Sequence, residues 1–414
     1  MPEAAALAAG YHAIVLDLDG VVYLGEDVVP AAPAALEGVR GLGVRLAFVT
    51  NNSFRPPEVV AEKLGRLGVK AAAEEVLTSA QATVHLLGGT DGLRGTRVLV
   101  VGGPGLRQAL EDAGARLLDF ADWRQAEVVA VGFDPDLTYD RVKVAALAIR
   151  AGARFVGSNP DTTLPMPGGF WPGAGATLAM LRAATGVQPE VAGKPERALF
   201  ETTAAAIGPG PYLMVGDRAD TDLDGAHRLG WATALVLSGV VTAADLPDLA
   251  IAPDHLLADV GGLLDPPGPV VRQATPAEAP AAAALLADCE APAAAAPHDP
   301  AGGRPEPAAA THPADPADPP TILVAADGDR VVGAAAWRRR GELAVVTGPV
   351  VERSWRDRLV GTRLLVAACV AARAAGLGRV AAPDHGFLAR FGFRPPGPQG
   401  PRGTLVRDLR AQRA

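Results

Sequence analysis

From residue 11 to about 265, short apolar runs alternate with stretches of helical period. Ala13-Ile14-Val15-Leu16 is continuously apolar up to Asp17, the pattern of a strand buried on both faces, and Gly20 ends it. Val44 to Val49 repeats the format and stops at Thr50. Pro57 to Leu67 predicts a helix, with proline at its start and Gly68 at its stop. Tyr212 to Val215 predicts a further strand, ending at Gly216-Asp217. Such alternation predicts an α/β fold around an open parallel sheet, which places ligands beyond the C-terminal ends of its strands.

Within this region, 83–188 reads as an inserted α/β unit. Strand-like 97–101, 127–131 and 153–156 alternate there with helix-like 105–114 and 138–151. The core is then 1–82 and 189–265. After Pro266-Pro267 a separate α+β unit, 266–414, is predicted. It has a strand at Val270, a helix over Pro276–Ala291, a hairpin turning at Asp327-Gly328-Asp329, a strand around Leu343–Val351 and a helix from Gly361 to Ala375. Residues 291–320 hold eleven Ala and nine Pro in thirty positions, too little apolar surface to offset the entropy of ordering, so a mobile loop is expected.

Composition narrows the function classes. Hydrophobic residues make up 49% and charged ones 20% of 414, as in soluble globular proteins. The net charge of −8 is uneven: residues 1–267 hold 20 basic and 32 acidic groups (−12), residues 268–414 hold 18 and 14 (+4). An acidic first part argues against nucleic acid as a partner. Only Cys289 and Cys369 occur, which predicts a reducing compartment with no disulfide framework or thiolate zinc site. Glu3 and the lack of a basic leader predict no secretory signal, and no apolar run reaches bilayer length, so a cytoplasmic protein without membrane insertion is expected.

Four segments carry candidate chemistry: Asp17-Leu18-Asp19-Gly20, Thr50-Asn51-Asn52, Gly193-Lys194-Pro195 and Gly216 to Asp222. Singly they read as turns, a helix cap and a solvated acidic loop. Together and in this order they supply a nucleophile (Asp17), an acid/base (Asp19), hydroxyl and amide donors (Thr50), a fixed cation (Lys194) and oxygen ligands for Mg²⁺ (Asp17 and Asp217, helped by the Asp19 carbonyl). That set suits phosphate-ester cleavage through an aspartyl-phosphate. Two other patterns are set aside. Gly103-Pro104-Gly105 lacks the third glycine of a dinucleotide fingerprint, Gln108 standing there, and the seven histidines show no metal-ligand spacing.

These segments resemble the haloacid dehalogenase superfamily, and the insert between the second and third resembles its C2-capped phosphatases, which act on nitrophenyl phosphate, phosphoglycolate or glycerol phosphate. The resemblance implies a Rossmann-like core. It makes Asp17 the nucleophile, Asp19 the acid/base, Thr50, Asn51 and Asn52 phosphate ligands, and Lys194 the phosphoryl clamp. Asp217 becomes a magnesium ligand and Asp222 a supporting carboxylate. Gly157 to Asp161 looks like the substrate-facing cap loop, which brings in Asn159 and Asp161. The third unit resembles the GNAT acetyltransferases, most closely over His385–Phe393. Leu359 stands where their pyrophosphate loop has its first glycine, so acetyl-CoA binding is not expected. The combined architecture implies a small phosphomonoester as partner, glycerol 3-phosphate first and phosphoglycolate as its rival, with acetyl transfer as an alternative of another class. A homodimer is compatible with it.

Overall fold

A computed structural model describes residues 5–88, 92–166, 168–290, 319–356, 358–383, 388–395 and 404–409. The chain divides into two compact units: residues 1–239 with 258–266, and residues 240–257 with 267–414.

In the first unit, strand Ala13–Asp17 lies between Arg45–Thr50 and Tyr212–Gly216, parallel to both. Val76–Thr78 extends the sheet on one side and Ala232–Val236 on the other, also in parallel. Ile14, Val15 and Leu16 are fully buried, as a continuous apolar run requires when helices cover both faces. Helix Pro57–Arg66 begins at its proline, and Gly68 follows it at φ 80°.

The inserted unit has its own parallel sheet, ordered Glu190–Val191, Arg154–Gly157, Val128–Val131, Arg97–Val101, Arg116–Leu118. Residues 190–191 thus pair with the insert, two residues past the stretch expected from the pattern. Helix Ser79–Gly88 in turn runs across residues 82 and 83. An antiparallel hairpin, Thr163–Met166 with Gly169–Pro172, follows the 157–161 loop. The Gly103-Pro104-Gly105 turn has a packing role. The Gly105 amide donates to the Phe54 carbonyl at 2.8 Å, and a Cβ there would meet the Arg55 backbone at 2.7 Å.

The second unit has a six-stranded sheet in the order Val270–Gln273, Thr321–Asp327, Arg330–Arg340, Leu343–Val351, Arg379–Pro383, Thr404–Asp408. It is antiparallel except for the pair Leu343–Val351 and Arg379–Pro383. Ala282 and Leu286 of helix Ala279–Glu290 pack on Val324, Ala334 and Ala336. Helix Val360–Ala374 begins after Leu359, whose φ of 55° is a left-handed conformation that a glycine adopts without strain. Residues 240–257 join this unit through charge. Asp248 pairs with Arg373 at 3.5 Å and with Arg407, and Arg363 donates to the Asp254 carbonyl and, at 2.8 Å, to that of Pro269. Most of the alanine- and proline-rich segment, and His385 to Gly386 with its flanks, lie outside the described residues. Among the described residues no helix is long and apolar enough to cross a membrane.

Candidate active site

Parallel pairing brings three strand ends to one edge. Asp17 stands opposite Val49, and Leu16 opposite Val215, so Asp17, Thr50 and Asp217 emerge side by side. The loop after Glu190–Val191 adds Lys194, which precedes a cis peptide to Pro195. Its ammonium donates to Asp17 Oδ1 at 2.5 Å and lies 2.7 Å from Asp222 Oδ1, and its side chain is only 3% exposed. Carboxylate oxygens of Asp17, Asp217 and Asp222 all lie within 4.8 Å of one another.

The positions of these groups follow from local structure. Gly20 has φ 83°, and a Cβ there would sit 2.3 Å from Asp217 Oδ2. At Gly239 the same distance would be 2.1 Å. Two backbones thus press on the Asp217 carboxylate as only glycine allows. Asp222 sits in a π-helical turn, Ala219–Leu223, and accepts the Arg218 amide at 3.1 Å.

Three carboxylates and one ammonium sum to a charge of −2 when all are ionised. A divalent cation with a preference for oxygen ligands fits both that charge and that donor set. The strain is visible in the acidities. Burial pushes the Asp17 carboxyl up, Lys194 opposes this, and Asp222 and Asp217 add to it, for a value of about 8. Burial would lower the Lys194 ammonium, but the facing Asp17 and Asp222 outweigh it and raise it. Between 3.8 and about 8 the metal-free folded chain therefore holds a proton on Asp17 that the unfolded chain has lost. The stability from this group is full at low pH and disappears as pH rises through about 8. A cation competes with that proton. Calorimetry should accordingly find Mg²⁺ binding tighter at pH 8 than at pH 6, with proton release at the lower pH.

Asp19 is exposed, outside the buried cluster. Partial burial raises its carboxyl too, against the pull of Lys63 and the Gly25 amide. The Thr50 hydroxyl accepts the Asn52 amide at 3.1 Å, and Asn52 Oδ1 accepts the Phe54 amide at 2.8 Å. The asparagines at the joint are engaged with one another's loops. Asn51 Oδ1 accepts the Lys194 amide at 2.8 Å, while its Nδ2 donates to the Lys194 carbonyl and to Asp161 Oδ2, both at 3.0 Å. Asn159 is buried, donates to the Asn51 carbonyl at 2.7 Å and accepts the Asp161 amide at 3.2 Å. These carboxamides lock the Lys194 loop and the insert to the strand end.

Arg218 is the site residue that the sequence segments contained without marking. It lies 3.0 Å from Asp220 Oδ2 and 3.5 Å from Asp161 Oδ1, linking the 216–222 loop to the insert. Asp161→Ala removes this link and the one to Asn51. We expect kcat/KM to fall ~10-fold, with KM carrying most of the change, because closure of the insert over substrate is weakened. Steady-state kinetics on a small phosphate ester checks it.

Comparison with known proteins agrees with this constellation. Residues 14–116 match the family model of haloacid dehalogenase-like hydrolases, 191–263 match a second HAD-hydrolase-like model, and 291–393 match the GNAT acetyltransferase family. The acid sugar phosphatase of Staphylococcus haemolyticus is 36% identical over 252 residues, 60% of this chain and 94% of the relative. The chain belongs to the haloacid dehalogenase-like hydrolases. It is a phosphatase of that family, carrying a GNAT-type unit at its C-terminal end. Among solved structures, the glycerol phosphate phosphatase Rv1692 of Mycobacterium tuberculosis in complex with magnesium is similar at 29% identity and TM-score 0.66. That match covers 94% of this chain and 98% of the other. A thermostable NPPase from Geobacillus stearothermophilus matches at 34% identity and TM-score 0.56, over 61% of this chain and 97% of its own.

Proposed function

We propose that this phosphatase hydrolyses a small phosphomonoester in two steps through an aspartyl-phosphate on Asp17, with Mg²⁺, and that glycerol 3-phosphate is its substrate. The observation that carries the reaction is the buried contact of Asp17 with Lys194 beside Asp217 and Asp222. An Asp17 oxygen attacks phosphorus and the ester oxygen departs, taking a proton from Asp19. Water then attacks the aspartyl-phosphate, Asp19 takes its proton, and Asp17 and phosphate are released. Lys194 faces the growing charge on the phosphoryl oxygens, and the Thr50 hydroxyl adds a donor. Asp17, Asp217 and Asp222 would hold a divalent cation, which would supply the positive charge that a carboxylate needs to approach a phosphate dianion.

Two observations favour glycerol 3-phosphate. The similarity to a glycerol phosphate phosphatase extends over both units, whereas the acid sugar phosphatase matches 60% of the chain. A phosphoglycolate site needs a cation for the second carboxylate, and two arginines of the insert, Arg141 and Arg154, are engaged with Asp134 at 2.9 Å and Glu190 at 2.7 Å. Acetyl transfer has weaker support, since Leu359 caps the helix that would meet a pyrophosphate. Measuring kcat/KM with Mg²⁺ on glycerol 3-phosphate, hexose phosphates, phosphoglycolate and 4-nitrophenyl phosphate tests the assignment. A clear preference for glycerol 3-phosphate among the alkyl esters is expected; a preference for a hexose phosphate would transfer the name to a sugar phosphatase.

A further inference from the structure

The chain after Asp19 turns back on itself. Gly20 donates to the Tyr23 carbonyl at 2.7 Å, Tyr23 bridges to Asp19, and Tyr23–Leu24 pairs with Asp27–Val28 as a short hairpin. At its tip, Gly25 has φ 60°, the left-handed conformation that lets the hairpin turn tightly. The backbone that carries the acid/base group is therefore tied to the hairpin.

Lys63 holds that hairpin from outside. It belongs to helix Pro57–Arg66, and its Nζ donates to the Gly25 carbonyl at 2.6 Å. The same ammonium lies 3.9 Å above the centre of the Tyr23 ring. Its side chain is 14% exposed, so both contacts are shielded from water, where a cation over an aromatic face is held more firmly. The pair with Glu26, at 3.4 Å, involves a carboxylate that is 84% exposed, and such pairs contribute little. The contacts that count are with Gly25 and Tyr23, two residues of the hairpin whose Tyr23 backbone bridges to Asp19.

We propose that Lys63 is a positioning residue for the acid–base step: by fixing the Gly25 carbonyl and the Tyr23 ring, it sets the place of the Asp19 carboxylate. This rests on the reading of Asp19 as the proton donor. Its signature is dependence on the leaving group. An alkoxide needs a proton as it departs, whereas 4-nitrophenolate is stable without one. A misplaced acid therefore harms alkyl esters selectively, and a general loss of structure harms both alike.

The test compares kcat/KM for the alkyl phosphate turned over best by the unsubstituted protein with that for 4-nitrophenyl phosphate, under saturating Mg²⁺. General acid catalysis contributes ~10²–10⁴-fold, so Lys63→Met should lose ~30-fold on the alkyl ester and only ~3-fold on the nitrophenyl ester. Lys63→Arg keeps the cation and should recover the alkyl rate to within ~3-fold. Gly25→Ala places a Cβ at positive φ and should reproduce the Lys63→Met selectivity with the lysine intact. Asp19→Asn is the control and should show the strongest selectivity. Equal losses on both esters in Lys63→Met and Gly25→Ala, with selectivity retained in Asp19→Asn, would overturn the role of Lys63. Equal losses in Asp19→Asn as well would overturn the reading of Asp19 itself.

Discussion

Asp17→Asn should end phosphate release while raising the thermal midpoint of the metal-free protein. The carboxamide has nearly the shape of the carboxylate but no anionic oxygen to attack phosphorus, and losing a nucleophile costs on the order of 10⁴-fold or more in kcat. The stability change runs the other way because of where Asp17 sits. Burial, reinforced by the neighbouring Asp222 and Asp217 carboxylates, raises its pKa well above the ordinary carboxylate range despite Lys194, so its charged form opposes folding. A neutral side chain removes that cost, most of all above pH 8. A phosphate-release assay and calorimetry in EDTA at pH 6 and 8.5 check both signs. Activity in the variant would sink the nucleophile assignment; lower stability at pH 8.5 would sink the charge account.

Lys194→Met should produce the second largest effect, with the opposite sign on stability. The ammonium is buried between Asp17 and Asp222, and methionine keeps the length of the stem without the charge. Removing one partner of a buried ion pair costs about 3–5 kcal/mol, because the remaining charge is left uncompensated. The loss should be smaller at pH 6 than at pH 8, since Asp17 then takes up a proton. Mg²⁺ should restore much of the stability, as it supplies charge to the same oxygens. It should not restore turnover: loss of a fixed donor to the transition state costs ~10²–10³-fold in kcat. Urea unfolding at both pH values, with EDTA and with Mg²⁺, alongside kcat, separates the two roles.

How much of this was legible in the sequence depends on the kind of contact. Ala13–Asp17 and Tyr212–Gly216 announce themselves, because strands covered on both faces are apolar throughout and polar residues at their ends must then be at the sheet edge. The meeting of Asp17 with Thr50 and Asp217 follows from that geometry, whereas Lys194 and Asp222 reach the site from a loop and a π-helical turn. Val76–Thr78 is too short for any period to mark it. The bonds of Asn51 to the Lys194 loop were not visible, since an amide's type does not reveal its partner 143 residues away. Lys63 was hidden for another reason. On an amphipathic helix a lysine conforms to the solvent-facing pattern, and its burial by the hairpin is a tertiary event. The switch of residues 240–257 to the second unit was equally silent, as it depends on arginines more than a hundred residues downstream.

That switch bears on how the protein is to be divided. Gly239 rests against Asp217, and with the next residue the chain enters the other unit, leaves it at 258 and returns at 267. The chain therefore passes from one unit to the other three times, after residues 239, 257 and 266. A chain terminated at 266 keeps every residue assigned to the chemistry, yet strips Asp248 of both its guanidinium partners and the Asp254 carbonyl of its own. An independent catalytic fragment would have to be rebuilt between 240 and 257, a stretch that contributes none of the residues assigned to the reaction.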